Sequence, residues 1–363
     1  MNNTSSARKV KRAPSIKDVA RRANVSIATV SNVLNGTKAV SEPLRFRVLS
    51  AVEELDYKTN PLGKSLKKGR TNSVAVIIPS ITSIFFPPLL KSLQAQAEEN
   101  DFTMLLFGSS GNLEKEKKCV EEAVSHGVDG ILISSCANPE DPKDKPYIDY
   151  LIDLRNGSRG IQVVCMESAL SPQLNAVEAN DQEGTIQAVE HLIGIGRKKI
   201  AYIASPQNYQ MGMSRKKGYL EALRRNDLTP DPRCFAEGDY TPISGYECMR
   251  SLLGKGLPID AVACGNDQMA IGAMRAIQEA GLSIPDDIAV MGYNDNAPSS
   301  LVSPSLSTMH VPKTEMGSES FRLFLRSLND PEAAPLHVRL TTEMVIRNST
   351  DPDAETSWDL TGW

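Results

Sequence analysis

The spacing of apolar and polar positions divides this chain into a short helical head and a long alternating body. Within the first 57 residues, apolar positions recur three and four residues apart, as on the buried face of an amphipathic helix. After residue 70, strand-sized apolar runs such as VAVIIP alternate with longer segments of helical periodicity. The pattern predicts an α/β protein in which parallel, doubly wound sheets follow a small helical domain.

Three short helices are predicted in the head. Ser15 and Asp18 form a capping-box pattern that starts the first helix, and the residues NVS at 24–26 separate it from the second. Gly36 has the chemistry of a helix C-cap, and Pro43 lies in the first turn of the third helix. A tight turn between the first two of three short helices predicts a helix-turn-helix.

Positive charge is concentrated in this head. Residues 1–70 contain 15 Lys and Arg against 5 Asp and Glu, whereas the whole chain has a formal net charge of −4. A head with a net charge of +10 on an acidic body predicts binding to a polyanion. A solvated basic surface is the alternative, but the excess extends over a whole predicted domain.

The outward face of the second predicted helix carries side chains that suit the major groove of DNA. Methyl groups of Ile27 and Ala28 offer contacts to thymine, and the amide of Asn32 offers two hydrogen bonds to adenine. Hydroxyl groups that can bond phosphates and fix the docking register lie at Ser26, Thr29 and Ser31. A small helical bundle with incidental hydroxyls is the alternative, but the turn, the caps and the charge together favour DNA binding.

The alternation in the body occurs in two consecutive runs, which predict two similar lobes within residues 71–363. We expect the first lobe to span about 71–172 plus 308–330, and the second about 173–307 plus 331–350. In doubly wound sheets, a ligand binds where the carboxyl ends of the strands converge. The sequence therefore predicts a small-molecule site in the cleft between the lobes.

Long stretches of the chain resemble the LacI/GalR family of bacterial transcription regulators. The resemblance covers IKDVARRANVSIATVSNVLNG and LDYKTNPLGKSL in the head, and GNDQMAIGAMRAIQEAGLSIPDDIAVMGYND in the body. It implies a basic N-terminal arm at 1–14, a DNA-binding domain at 15–59 and a hinge helix at 60–70. The body is then similar to periplasmic sugar-binding proteins and also forms the dimer.

The same resemblance implies roles for single residues of the head and the hinge. Ile27, Ala28 and Asn32 match the positions that read bases in the family. Leu66 matches the leucine that the hinge helix inserts into the minor groove, where such a wedge unstacks a base step and kinks the duplex.

In the body, the resemblance implies contacts with a small-molecule effector. Phe85 and Phe86 imply an aromatic pair that stacks on a ring, although two phenylalanines are more often core, and Arg215 implies a planar clamp on ligand oxygens. The full set of matching positions is Phe85, Phe86, Arg215, Tyr240, Asn266 and Asn294. Asn294 and the pair Asn180-Asp181 depart from the common family pattern, so sugars and nucleobases both remain open as effectors.

Several other classes of protein are not indicated. The six cysteines are scattered, which is typical of reduced thiols in a cytoplasm, and the four histidines are isolated, so we expect neither a metal nor a cofactor. The basic N-terminus has no following apolar stretch, and the apolar runs are strand-sized, so we expect neither a secretory signal nor a membrane span. No G-x-S-x-G elbow or correctly placed dinucleotide fingerprint indicates catalysis.

The sequence thus predicts a cytoplasmic transcription regulator, most simply a repressor. We expect it to bind pseudo-palindromic, double-stranded operator DNA as a homodimer and to respond to a small molecule between its lobes. A solute-binding protein without DNA function is the main alternative, and a carbohydrate- or nucleoside-modifying enzyme ranks third.

Overall fold

The computed structural model divides into two units, Met1–Thr71 and Asn72–Trp363. The residues that it describes are 14–36, 38–57, 70–157, 160–355 and 358. The predicted basic arm, apart from Pro14, lies outside these residues. So does the predicted hinge helix with Leu66, apart from Arg70.

The first unit is a helix-turn-helix with a third supporting helix. Its helices are α1 (Ile16–Ala23), α2 (Ile27–Asn35) and α3 (Glu42–Glu54). Their apolar faces meet in a small core built on Val19, Ala20, Ala23, Val30, Val48 and Ala51. The helical periodicity of the head is therefore confirmed.

Local capping sets the helix boundaries in this unit. The backbone N–H and the hydroxyl of Ser15 both donate to Asp18 Oδ2, at 2.9 and 2.6 Å, and start α1. Ser26 Oγ accepts a hydrogen bond from the Thr29 N–H at 3.1 Å and starts α2. Gly36 ends α2 with a φ of 65°, a left-handed conformation that glycine adopts without strain.

The first lobe of the second unit contains a six-stranded parallel sheet. Its strands are β1 (Ser73–Ile78), β2 (Thr103–Gly108), β3 (Gly130–Ile133), β4 (Gln162–Glu167), β5 (Asn175–Ala179) and β11 (His337–Leu340). Their order is β11-β5-β4-β3-β1-β2. Helices α4 (Phe86–Glu99) and α11 (Lys313–Asn329) pack on one face, and α5 (Leu113–Ser125) and α6 (Lys145–Asn156) on the other.

The second lobe contains a four-stranded parallel sheet in the order β7-β6-β8-β9. Its strands are β6 (Ile200–Ala204), β7 (Phe235–Glu237), β8 (Ala261–Cys264) and β9 (Ala289–Met291). Helices on one face are α7 (Asp181–Gly194) and α8 (Gln210–Arg225), and those on the other are α9 (Pro242–Gly254) and α10 (Asp267–Glu279). An antiparallel pair, β10 (Thr308–His310) and β12 (Glu343–Val345), also belongs to this lobe. Isolated bridges join Met291 at the end of β9 to Ser307, and Asn294 to His310 of β10.

Two strands differ from the expected lobe boundaries. We expected β5 and β11 in the second lobe, but β5 hydrogen-bonds to β4 and β11 adds outside β5, so both belong to the first sheet. The stretch HVRLTTEMVIR is two strands, because the chain leaves the first sheet after Leu340 and pairs again from Glu343. Alternation along the chain predicts strands but does not predict which sheet completes their hydrogen bonds. The chain consequently passes between the lobes three times, after β5, before α11 and after β11.

Candidate functional site

Helix α2 has an uncovered face of small and apolar side chains. Ile27 is 44% exposed, Ala28 is exposed, and Asn32 is half-buried on the same helix. Val30 is fully buried in the core of the unit and so determines which face of α2 points outward. An exposed isoleucine in the first turn of a capped helix is available for contact with a partner.

The hydroxyl groups expected to contact phosphates are tied to the start of α2. Ser26 Oγ accepts the Thr29 N–H and also lies 2.9 Å from Thr29 Oγ1, a distance at which either hydroxyl can donate to the other. One such bond uses one hydroxyl proton, so the second proton can still reach a phosphate oxygen. Ser31 is half-buried one turn further along.

Exposed cations accompany this helix in the described part of the first unit. Arg21 is 82% exposed and has only a long contact with Asp18, 3.5 Å from Nη1 to Oδ1. Arg22 forms a closer ion pair with Glu54 on α3, at 2.5 Å. Further exposed basic residues are Lys17, Lys38, Arg45 and Arg47. These charges can supply the sequence-independent attraction to a polyanion that the composition predicts.

The second unit contains a cavity of about 200 Å³ beside the crossing from β5 to α7. Both lobes contribute to its wall, and most of the lining is polar. The lining residues are Glu167, Ser168, Glu178, Ala179, Asn180, Asp181, Gln182, Gln210, Met211, Ser214 and Arg339. None of the six residues expected to contact an effector belongs to this lining.

Arg215 reaches the cavity through Asp181. Its Nε donates to Asp181 Oδ1 at 2.8 Å, its Nη1 donates to the Gly265 carbonyl at 2.6 Å, and its guanidinium lies 3.9 Å from the centre of the Tyr293 ring. Both charged side chains are almost fully buried. Burial raises the pKa of Asp181, and the guanidinium of Arg215 opposes that rise. Arg215 thus holds a cavity-lining carboxylate in place, while its Nη2 makes no hydrogen bond in the described structure.

Glu167 is a buried cavity residue that the sequence analysis missed. It ends β4 with a φ of 69°, is 6% exposed, and accepts a short hydrogen bond from the Ser134 hydroxyl at Oε2. Burial raises the pKa of Glu167 to about 7, against the opposing effects of Ser134 and the positive charge of Arg215. A signal was present in the sequence, since Glu167 is a charged residue at the carboxyl end of a buried strand, the edge where a ligand is expected.

Tyr240, Asn266 and Asn294 lie in the second lobe at strand ends, as expected. Asn266 Nδ2 donates to the Tyr240 carbonyl at 3.0 Å, and its Oδ1 accepts the Met269 N–H at 2.9 Å, so this amide caps α10. Burial raises the pKa of Tyr240, and the positive charge of Arg215 opposes that rise. Asn294 is 6% exposed, and its side-chain oxygen has no hydrogen-bond partner in the described residues.

Phe85 and Phe86 pack against each other and into the core. Their ring centres are 5.2 Å apart in an edge-to-face arrangement, and both rings belong to one of the apolar clusters of the second unit, together with Leu89 of α4. Lys313 Nζ lies 5.9 Å from the centre of the Phe85 ring, at the chain crossing that precedes α11. The pair therefore supports the first lobe near the cleft, and a stacking role in ligand binding remains a prediction.

Metal, disulfide and membrane-spanning features are absent from the described ranges. Within them, no group of three or more His, Cys, Asp or Glu side chains is arranged to hold a metal ion. All six cysteines are free thiols. None of the helices described is both long and apolar enough to cross a bilayer.

Comparisons with known proteins agree with this architecture. Residues 15–60 match the family model of bacterial regulatory proteins of the lacI family, and residues 189–350 match a periplasmic binding protein-like domain. The HTH-type transcriptional repressor PurR of Pasteurella multocida is 31% identical over 335 residues, which cover 92% of this chain and 98% of the relative. PurR of Proteus mirabilis is 33% identical over 331 residues, covering 90% and 94% respectively.

Solved structures of regulators are similar to this chain over most of its length. The lac repressor dimer bound to operator and the anti-inducer ONPF has a TM-score of 0.83 at 27% identity, covering 93% of this chain and 99% of that one. The regulator CelR in complex with cellobiose has a TM-score of 0.69 at 28% identity, with the same coverage. The head matched by the lacI family model favours a regulator over a solute-binding protein without DNA function. The chain belongs to the LacI family of bacterial regulatory proteins and is a DNA-binding transcriptional repressor with an effector-binding, periplasmic-binding-protein-like domain.

Proposed function

We propose that two copies of this chain bind a pseudo-palindromic operator through α2, and that a small molecule between the lobes changes their affinity for it. The exposed Ile27 and Ala28 at the start of a capped helix, in a unit rich in exposed cations, carry this proposal. The lac repressor neighbour, described as a dimer bound to operator, supports the paired arrangement. Operator DNA is reached inside the cell, so we place the protein in the cytoplasm.

In this proposal, some residues of the head contact DNA bases and others contact the phosphate backbone. Ile27, Ala28 and Asn32 contact base edges in the major groove. Ser26, Thr29 and Ser31, together with the exposed cations, contact phosphates and fix the register. Leu66, from the hinge outside the described residues, enters the minor groove. One head on a half-site binds with modest affinity, and a second head about one helical turn away supplies the rest.

The ligand acts by favouring one arrangement of the lobes. It shifts operator affinity only as far as its own affinity differs between two lobe arrangements. The cavity touches both lobes and the crossing from β5 to α7, so a molecule in it would contact a segment that joins the two lobes. The CelR neighbour, described in complex with cellobiose, supports a small-molecule effector. The relatives are named repressors, which supports a role without catalysis.

Selection from a random duplex library with the full-length chain tests the DNA-binding part. We expect enrichment of an inverted repeat whose half-sites are about 10 base pairs apart, bound roughly 10³-fold or more tightly than a scrambled duplex at the same salt. Equal affinity for the enriched and the scrambled duplex would overturn the proposal. Enrichment of a single, unrepeated half-site would contradict the paired arrangement.

A further inference from the structure

The loop that follows β9, residues 293–296, has an unusual backbone conformation. We call it the β9 loop. Asn294 has a φ of 106°, and Asp295, the next residue, has a φ of 52°. Asn and Asp enter the left-handed region more readily than other side-chain-bearing residues, but as single residues and with a φ near about 57°. Two consecutive residues of this kind persist only where the surrounding structure holds them.

Part of this support comes from the second lobe itself. The Asn294 N–H donates to the Met309 carbonyl in β10 at 2.8 Å. The Asp295 carboxylate lies 3.0 Å from His310 Nδ1 and 2.9 Å from Arg347 Nη2. These partners belong to the same lobe as the loop, so their contacts do not depend on where the first lobe lies.

The first lobe supplies a further support through Lys313. This residue begins α11, which packs on the first sheet, and its ammonium donates to the carbonyls of Asn294 and Asp295, the latter at 3.1 Å. The same ammonium lies 5.9 Å from the centre of the Phe85 ring in the first lobe. Lys313 is only 6% exposed, so these carbonyls replace part of the hydration of a buried charge. One buried cation thus joins a first-lobe helix to a second-lobe loop.

The β9 loop reaches the cavity at its other end. The Tyr293 hydroxyl donates to the Asp181 carbonyl at 3.3 Å, and the guanidinium of Arg215 lies 3.9 Å from the centre of the Tyr293 ring. Asp181 lines the cavity between the lobes. The loop therefore connects the wall of the cavity to the cation that the first lobe contributes.

We propose that Lys313 is a positioning residue that links the arrangement of the lobes to the shape of the β9 loop. With the lobes arranged as described, its ammonium holds the loop in the left-handed conformation. A lobe rotation that withdraws Lys313 leaves two carbonyls without this donor, so the loop relaxes. A ligand that favours one loop shape then favours the corresponding lobe arrangement. The inference rests on the proposed function, since it names a contact through which lobe movement reaches the ligand site.

Amide hydrogen exchange of the full-length chain tests this link without a ligand. Lys313→Met keeps the length of the side chain but removes its charge and its donors, so we expect the β9 loop to exchange roughly 10-fold faster or more, with β6 unchanged. Lys313→Arg restores a donating cation and should stay within about threefold of the wild type. Lys216→Met is the matched control, since that ammonium lies 4.3 Å from the Phe235 ring within the second lobe.

Two results of this comparison overturn the proposal. One is exchange in the β9 loop of folded Lys313→Met that equals that of the wild type or of Lys216→Met. The other is equally fast exchange in Lys313→Arg and Lys313→Met, because a donating cation would then not be what holds the loop. Acceleration of β6 by the same factor as the loop has the same meaning, because it reports a general loss of stability.

A variant on the other side of the cleft tests whether the link depends on the lobes. The Tyr209 hydroxyl donates to the Gly111 carbonyl in the first lobe at 3.1 Å, so Tyr209→Phe loosens a lobe contact outside the β9 loop. We expect faster exchange in the β9 loop of Tyr209→Phe. The double variant should exchange no faster than Lys313→Met, because both changes act on one link. An unchanged β9 loop in Tyr209→Phe, which requires no Lys313 variant to fold, or additive effects in the double variant, overturns the proposal.

Operator binding of the same samples separates the two proposals. A chain that binds its selected operator but whose β9 loop ignores Lys313 contradicts the inference and leaves the proposed function intact. A chain with the expected exchange pattern that binds no operator supports the link between lobes and loop and contradicts the proposed function.

Discussion

Tyr209 in the second lobe donates a hydrogen bond from its hydroxyl to the carbonyl oxygen of Gly111 in the first lobe, at 3.1 Å. The same hydroxyl lies 3.7 Å from the thiol of Cys136, also in the first lobe. Gly111 has a φ of 65°, and a Cβ added there would lie 2.9 Å from the Tyr209 hydroxyl. A left-handed glycine therefore permits the close approach by which one side chain joins the two lobes.

Removing that hydroxyl should loosen the contact between the lobes. In Tyr209→Phe the ring remains but the bond to Gly111 is lost, which should cost about 1 kcal/mol of stability. Amide hydrogen exchange in the loop after β2 should become faster, because the arrangement in which Tyr209 contacts this loop is then less populated. Tyr246→Phe is the matched control, since its hydroxyl bonds Glu279 within the second lobe. Equal exchange in this loop for both variants would show that Tyr209 does not hold the lobes together.

The buried pair of Arg215 and Asp181 should be costly to break from one side. Arg215→Ala leaves the buried carboxylate of Asp181 without its cation, so we expect the free energy of unfolding to fall by roughly 3–5 kcal/mol. Adding Asp181→Asn should recover part of this loss, because the unpaired charge is then absent. Urea denaturation of both variants measures the effect. Arg224→Ala, which breaks an exposed pair with Glu221, is the control. A double variant no more stable than Arg215→Ala would contradict this account.

Glu167 should link stability to pH. Burial raises the pKa of Glu167 to about 7 from an ordinary 4.5, although the neighbouring charge of Arg215 opposes the rise. Between pH 4.5 and pH 7, the folded chain therefore keeps a proton on Glu167 that the unfolded chain has released. The contribution of this proton to the free energy of unfolding is fully present below pH 4.5. It is lost as pH rises through 7, by up to roughly 3 kcal/mol.

The isosteric variant measures this linkage. Because the amide of Glu167→Gln cannot ionise, its free energy of unfolding should increase relative to wild type between pH 5 and pH 8. Urea denaturation at both pH values gives the difference, with Glu332→Gln as the control for loss of a carboxylate. A difference that is the same at pH 5 and pH 8 would show that Glu167 does not titrate in this range.

Asn32 should specify one base pair of the operator. We expect Asn32→Ala to reduce the preference at one position of each half-site by about 1–3 kcal/mol, measured on a set of singly substituted operators. Arg12→Ala should instead weaken all duplexes alike and reduce the slope of log K against log salt by about 0.9. Equal weakening of every duplex by Asn32→Ala would show that it contacts the backbone rather than a base.

The cavity between the lobes was the least predictable part of the molecule. Arg215 and Asp181 are 34 residues apart in the chain, and their ion pair forms because α7 and α8 pack on the same face of one sheet. The pair Asn180-Asp181 departs from the family pattern, but the sequence does not show that Asp181 forms a buried ion pair with Arg215. The raised pKa of Glu167 was not predictable because it results from burial, which the identity of a single residue does not determine.

The sequence by itself determined the helices of the head and the alternation of the body. Capping hydrogen bonds such as those between Ser15 and Asp18 and between Ser26 and Thr29 join residues three apart, so the local sequence determines where these helices begin. Tertiary structure decided that β5 and β11 complete the first sheet, and which side chains line the cavity between the lobes. Those outcomes depend on hydrogen bonds and charges between distant segments, whose partners are selected only when the sheets assemble.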